Sequence, residues 1–263
     1  MPSTDLLNRF SGSSEQRIQA VFHLLFDQSD KAIGIISNIL FTDSSSIVRH
    51  EAAYILGEKN NILAVKPLIQ AIKTDSHKIV VHESALALAN LGKLGYPESE
   101  QTIKSLLTSN DLDIVDTAEI ALQRLQMKLT NSLLLNGKTS LQDILFNSSS
   151  ENKEKRIQAS FLLMEDASSD SVELLIQALH SEPSAIVKHE LIFSLGECIH
   201  YKVVPELIKV LETDSNFFTI HESLLALGTL GDTKAEPSIR KFLTSNNPEI
   251  AESAEIGLER LLS

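Results

Sequence analysis

The chain is poor in the residues on which several common kinds of protein depend. It has no tryptophan, one cysteine (Cys198), ten glycines and seven prolines among 263 residues. A single cysteine excludes a disulfide framework and a cysteine-rich zinc site. So few glycines and prolines leave little room for a turn-rich all-β fold. No apolar run approaches the roughly 18 residues that span a bilayer, and the N-terminus does not resemble a signal peptide. We therefore expect a soluble cytoplasmic protein without a membrane partner.

Basic charge is scarce as well. The chain has 23 Lys and Arg against 35 Asp and Glu, and a net charge of -12. Nucleic-acid binding needs a basic surface, so we expect no nucleic-acid partner. Hydrophobic residues make up 43% of the chain and aromatic residues 5%. The apolar content is carried by Leu, Ile and Ala, which favours closely packed helices.

The sequence repeats itself in two halves. "IVRHEAAYILGE", ending at Glu58, recurs as "IVKHELIFSLGE", ending at Glu197, and most matches share an offset of 139 residues. The tails match after a three-residue deletion, as "AEIALQRL" from Ala118 and "AEIGLERL" from Ala254. The repeat predicts an N-terminal half at 1–127, a linker at 128–139 and a C-terminal half at 140–263.

A smaller repeat of about 32 residues runs inside each half. Each unit has two segments with apolar residues at i, i+3, i+4 and i+7, which is the helical period. Polar "TDS" or "SEPS" connectors can cap the second helix, which often ends in Leu-Gly, a suitable helix stop. One helix pair cannot bury its apolar face alone, but a stack can. The sequence predicts an all-α solenoid of about eight short HEAT-like helical hairpins.

Four of the eight histidines precede glutamate, and all four pairs begin the second helix of a unit. They belong to the second and third units of each half: His50-Glu51, His82-Glu83, His189-Glu190 and His221-Glu222. The first and fourth units have "QRIQA", "VDTAE", "KRIQA" and "AESAE" at this place. A single His-Glu pair would be explained by polar residues on a solvated helix face, but four symmetrically placed pairs indicate a functional site.

Neighbouring second helices should bring these histidines together. The second helices of adjacent units lie parallel in a solenoid, roughly 8–10 Å apart. His50 and His82 would then project side by side, as would His189 and His221. Two histidines and one carboxylate suit non-haem Fe(II) with open positions. If the halves face each other, the two sets would hold two metals.

At these residues the chain resembles deoxyhypusine hydroxylase. The resemblance covers nearly the whole chain and rests on "VRHEAAYILGE", "VVHESALALANLG", "VKHELIFSLGE" and "TIHESLLALGTLG". It implies HEAT-like repeats in two halves, two Fe²⁺ ions, and molecular oxygen as co-substrate. The implied reaction is hydroxylation of the deoxyhypusine residue of translation initiation factor 5A, which would be the partner. We expect the chain itself to be a monomer.

The resemblance also implies roles for the eight residues. One iron would be bound by His50, His82 and Glu83, and the other by His189, His221 and Glu222. Glu51 and Glu190 would stay off the metals, either supporting the ligands or receiving the ammonium groups of the substrate. The chain departs from the family pattern where Val81 and Ile220 replace Arg, and where Leu86 and Leu225 replace Glu.

The residues leave other functions open. A HEAT-repeat di-iron protein could act on another substrate. A protein of the phycobilisome-lyase type could bind a tetrapyrrole or a peptide without iron. A metal-free scaffold could bind proteins on its concave face. Iron content separates the first of these from the other two.

Overall fold

The computed structural model describes residues 11–130, 140–147 and 153–263, and the chain forms two compact units, residues 1–133 and 134–263. In the described part of the first unit, the α-helices are α1 (Ser14–His23), α2 (Asp30–Thr42), α3 (Ser46–Glu58), α4 (Val65–Thr74), α5 (Lys78–Asn90), α6 (Glu98–Ser105) and α7 (Leu112–Thr130). In the second they are α8 (Leu141–Asn147), α9 (Lys153–Asp166), α10 (Ser169–Ser181), α11 (Ala185–Glu197), α12 (Val203–Thr213), α13 (Phe217–Leu230), α14 (Glu236–Arg240) and α15 (Pro248–Leu262). Short 3₁₀ turns lie at Ile62–Ala64, Leu106–Thr108, Thr233–Ala235 and Lys241–Thr244.

Each unit has two layers of helices. The layer that carries the histidines consists of α1, α3, α5 and α7 in the first unit, with each helix packed on the next. In the second unit it consists of α9, α11, α13 and α15. The other helices cover one side of this layer, so the apolar core lies between the two layers. The predicted all-α solenoid of helical hairpins is confirmed, and the described residues contain no strand.

The polar connectors begin the helices in two ways. Ser45 and Ser184 cap α3 and α11, where each side chain accepts a hydrogen bond from a backbone N–H in the first turn. In the "TDS" connectors at 74–76 and 213–215 the cap position lies after the motif, at His77 and Asn216. The Asp of each motif accepts a hydrogen bond from the backbone N–H two residues further on. The predicted connectors therefore do start helices, although "TDS" shapes the turn and does not cap the helix.

A recurring ion pair joins neighbouring repeat units. A basic residue in the first turns of one histidine-layer helix meets an acidic residue 26 positions later, in the connector of the next unit. The N···O distances are 2.7–2.8 Å in Arg17–Asp43, Arg49–Asp75, Arg156–Glu182 and Lys188–Asp214. The same acids accept backbone N–H bonds in their own connectors. Each pair therefore fixes one helix start against the next one.

The Leu-Gly sequences serve two purposes. Gly92 and Gly231 have φ of +58° and +69° and follow the ends of α5 and α13, so the predicted left-handed helix stop is confirmed there. For Gly57 and Gly196 the prediction is wrong, because both lie inside helices. A Cβ on Gly57 would lie 2.7 Å from that of Ala87 on the adjacent helix. Glycine at this place allows two layer helices to approach closely.

The predicted linker falls mostly outside the described residues. Helix α7 continues to Thr130, and residues 131–139 lie beyond the described part. The predicted bounds of the halves, 1–127 and 140–263, stay a prediction. None of the described helices combines the length and the apolar character that crossing a membrane requires.

Candidate metal centre

One buried position recurs along the histidine layer of each unit. It is the fifth or sixth residue of each helix in that layer. The residues there are Ile18, His50, His82 and Thr117 in the first unit, and Ile157, His189, His221 and Ser253 in the second. Each row therefore runs from an apolar residue through two histidines to a hydroxyl residue, and every side chain in it is buried.

In the first unit, the second His-Glu pair, His82-Glu83, contacts the first pair, His50-Glu51. The Nε2 atom of His50 on α3 is 3.5 Å from Oε2 of Glu83 on α5. Nδ1 of His82 is 2.8 Å from Oγ1 of Thr117 on α7. Glu51 is buried beside His50 in the sequence of α3. In the first unit the structure therefore shows a contact between His50 and Glu83 and a contact between His82 and Thr117, each across adjacent helices of the layer.

The second unit repeats this arrangement. Nε2 of His189 on α11 is 3.3 Å from Oε2 of Glu222 on α13, and its Nδ1 is 3.2 Å from Oε1 of Glu190. The rings of His189 and His221 are nearly parallel, with centroids 6.2 Å apart. Nδ1 of His221 is 2.8 Å from Oγ of Ser253 on α15. Potential ligand atoms of His189, His221 and Glu222 all lie within 4.8 Å of one another, close enough to hold one metal ion.

The charge of this second cluster favours a cation. Burial alone opposes a charge on His189, but the carboxylates of Glu190 and Glu222 outweigh it and raise the pKa of this histidine to about 10. Burial, together with the charge of Glu222, also raises the pKa of Glu197. Two buried carboxylates on one imidazole leave excess negative charge that a proton or a metal cation can neutralise. The donor set of two imidazoles and a carboxylate fits a non-haem iron.

Aromatic side chains enclose the second cluster. The ring of Phe217 stacks on His221 at 6.1 Å, and Phe218 meets His189 edge-on at the same centroid distance. At the place of Phe217 the first unit has Lys78, whose ammonium group pairs with Asp111 and Asp113 at the start of α7. The two units therefore have the same types of residue, His and Glu, at corresponding positions, but the surroundings of these residues differ in polarity.

Of the two predicted ligand sets, the structure gathers the one in the second unit, His189, His221 and Glu222, within reach of a single ion, while in the first unit it shows a contact between His50 and Glu83. His50 with Glu83, and His189 with Glu222, are direct neighbours across adjacent helices. Sequence reasoning missed the hydroxyl residues that contact His82 and His221. The signal was present, because "VDTAE" and "AESAE" place Thr or Ser where the preceding unit has histidine.

Comparison with known proteins defines the class of this chain. A family model described as HEAT repeats matches residues 33–123 and 172–259. The chain therefore belongs to the HEAT-repeat family, in agreement with the two layers of helices in each unit.

Two similar curated proteins within this class have the same name. The chain is 29% identical to deoxyhypusine hydroxylase of Candida albicans, over 97% of this chain and 90% of that protein. It is 29% identical to the enzyme of that name from Schizosaccharomyces pombe, over 93% of this chain and 85% of that protein. The solved structure of human deoxyhypusine hydroxylase in complex with glycerol has the same fold, with a TM-score of 0.79 at 24% identity, over 94% of this chain and 90% of that one. The predicted resemblance to deoxyhypusine hydroxylase is confirmed.

Proposed function

We propose that this chain is a deoxyhypusine monooxygenase that hydroxylates the deoxyhypusine residue of translation initiation factor 5A with iron and molecular oxygen. The similarity to curated deoxyhypusine hydroxylases over nearly the full length of the chain supports the activity. The observation that carries the proposal is the repeated geometry. In each unit a histidine Nε2 on one helix faces a glutamate Oε2 on the next, at 3.5 and 3.3 Å.

The proposed ligands follow this geometry. His50, His82 and Glu83 would hold one iron, and an equivalent set in the second unit would hold the other: His189, His221 and Glu222. Both sets consist of neutral nitrogen and carboxylate oxygen donors, which suit Fe(II) and leave coordination positions open. That both irons share one centre stays a prediction.

Residues around the ligands have separate proposed roles. Iron, when bound, supplies the activation of oxygen that no side chain can perform. Phe217 and Phe218 pack against His221 and His189 and would keep water away from one side of the second cluster. Glu190 accepts a hydrogen bond from Nδ1 of His189 and so turns Nε2 toward the metal position. Glu51 is the equivalent residue in the first unit.

The same two carboxylates suit the substrate. A deoxyhypusine side chain carries ammonium groups, and a carboxylate that is buried beside the ligands can accept a charge-assisted hydrogen bond from one of them. Glu190 contacts Nδ1 of His189 through Oε1, so its Oε2 would receive the ammonium group, and Glu51 is its counterpart in the first unit. We therefore propose that these residues support the ligands and help to bind the substrate side chain.

Iron content tests the ligand assignment. We expect about two Fe(II) per chain after anaerobic loading, measured by elemental analysis. His50→Ala with His82→Ala should leave about one, as should His189→Ala with His221→Ala, while helix content by circular dichroism stays near that of the unchanged protein. His180→Ala is the control, because this exposed histidine pairs with Glu206 and should not affect iron. A protein that stays metal-free after anaerobic loading contradicts the proposal.

The substrate is tested separately. Iron-loaded protein should convert the deoxyhypusine residue of factor 5A to hypusine under oxygen, seen as the mass gain of one oxygen atom on that residue. Iron-loaded protein that leaves this residue unchanged would contradict the assigned substrate and not the metal centre. The monomeric state, the cytoplasmic location and the absence of a nucleic-acid partner stay predictions.

A further inference from the structure

The hydroxyl residues at the end of each histidine row have a defined hydrogen-bonding state. Oγ1 of Thr117 lies 2.9 Å from the carbonyl oxygen of Asp113, one helical turn earlier. Oγ of Ser253 lies 2.7 Å from the carbonyl oxygen of Glu249 in the same way. A carbonyl oxygen can only accept a hydrogen bond, and a hydroxyl group has one proton. Each hydroxyl therefore donates its proton to the backbone.

The state of each hydroxyl determines that of the histidine beside it. Nδ1 of His82 is 2.8 Å from Oγ1 of Thr117, and Nδ1 of His221 is 2.8 Å from Oγ of Ser253. Because the hydroxyl protons are already donated elsewhere, the hydroxyl oxygens must accept here. The two histidines then carry a proton on Nδ1, and when the ring is neutral its lone pair lies on Nε2.

We propose that Thr117 and Ser253 are positioning residues that hold His82 and His221 as Nδ1–H tautomers, with Nε2 ready to bind the metal. This inference rests on the proposed function, since it assigns these hydroxyls to the iron sites. Each orienting hydroxyl comes from the fourth repeat of its unit, on the last helix of the histidine layer, which is α7 or α15. A histidine ligand commonly needs such an acceptor at its other ring nitrogen.

The recurrence of the arrangement supports a role at the metal. Thr117 and Ser253 occupy corresponding places in the two halves, yet one is threonine and the other serine. What the two positions share is the buried hydroxyl, the bond to the preceding turn and the 2.8 Å contact with a histidine. An apolar residue of similar size would fill the space equally well, so packing alone does not require a hydroxyl.

The tautomer is tested first in the metal-free protein. Histidine labelled with ¹⁵N should give signals of the Nδ1–H tautomer for His82 and His221, assigned by the loss of each signal in His82→Gln and His221→Gln. Thr117→Val keeps the shape of the side chain and removes the acceptor. It should reduce the Nδ1–H population of His82 and leave His221 unchanged. Finding Nε2–H tautomers in the unchanged protein would overturn the inference.

Iron binding is tested next, on the same variants. Thr117→Val and Ser253→Ala should each weaken Fe(II) binding to one of the two sites by roughly 10- to 100-fold. Thr117→Ser and Ser253→Thr retain the hydroxyl and should bind Fe(II) as tightly as the unchanged protein. Ser223→Ala is the matched control, because Ser223 is buried and its hydroxyl also donates to the preceding turn, at the carbonyl oxygen of Thr219.

Failure of the inference can be distinguished from failure of the proposed function. If the unchanged protein binds two irons and Thr117→Val binds them equally tightly, the hydroxyl does not position a ligand and the inference is wrong. If the unchanged protein binds no iron while both tautomers are as expected, the proposed function is wrong. In that case the hydroxyls serve the fold alone, which also overturns their role at a metal.

Discussion

Metal binding in the second unit should release a proton from His189. Both ring nitrogens of this histidine face a carboxylate, Oε1 of Glu190 at 3.2 Å and Oε2 of Glu222 at 3.3 Å. Burial opposes the charge, but the carboxylates raise the pKa of His189 to about 10. Near neutral pH the imidazole of the metal-free protein is therefore protonated. A metal ion binds only the neutral ring, so this proton must leave.

The magnitude follows from the position of that pKa. With His50→Ala and His82→Ala present, only the second site is loaded. Binding of Fe(II) at pH 7.5 should then release about one proton, because a group with a pKa near 10 is almost fully protonated there. The affinity should rise roughly tenfold per pH unit between pH 7 and 9 and level off as the pH passes the pKa of His189.

Anaerobic isothermal titration calorimetry measures this proton directly. The apparent binding enthalpy should depend on the ionisation enthalpy of the buffer, with a slope of about one proton released. Glu190→Gln removes one of the two carboxylates that raise the pKa of His189, so it should lower the number of protons released at the upper end of that pH range. A slope near zero in the unchanged second site would refute the reasoning, since His189 would then already be neutral.

Two further predictions concern the stacking of repeat units. Arg156→Met should lower the free energy of unfolding by about 3–5 kcal/mol in urea denaturation, because Arg156 and Glu182 are both about 5% exposed and form two hydrogen bonds of 2.7 and 2.9 Å. Adding Glu182→Met should recover most of that loss, because it removes the buried carboxylate that lost its partner. A loss under about 1 kcal/mol in Arg156→Met would contradict the prediction. Gly228→Ala should cost about 1–3 kcal/mol or more by overpacking, since an added Cβ would lie 2.5 Å from the backbone oxygen of Gly257. Gly34→Ala is its control and should be neutral or stabilising in the same assay, because nothing lies within 4 Å of the new Cβ.

Much of the fold was predictable because its determinants are local. The helical period of apolar residues, the polar connectors and the twofold internal repeat are all visible in the sequence, and they specify stacked helical hairpins. The ion pairs between units were less visible. Arg156 and Glu182 are 26 residues apart, and their contact depends on how far one hairpin is shifted against the next. No local pattern contains that shift.

The site divides in the same way. The sequence alone determined that four His-Glu pairs recur at one helical position, because repeat units with equal lengths place equal residues at equal places. Tertiary structure decided which atoms meet. Nε2 of His189 faces Glu222, while its Nδ1 is taken by Glu190, and Ser253 takes Nδ1 of His221. These choices depend on side-chain rotamers and on the spacing of adjacent helices, and both are fixed only when the units pack against one another.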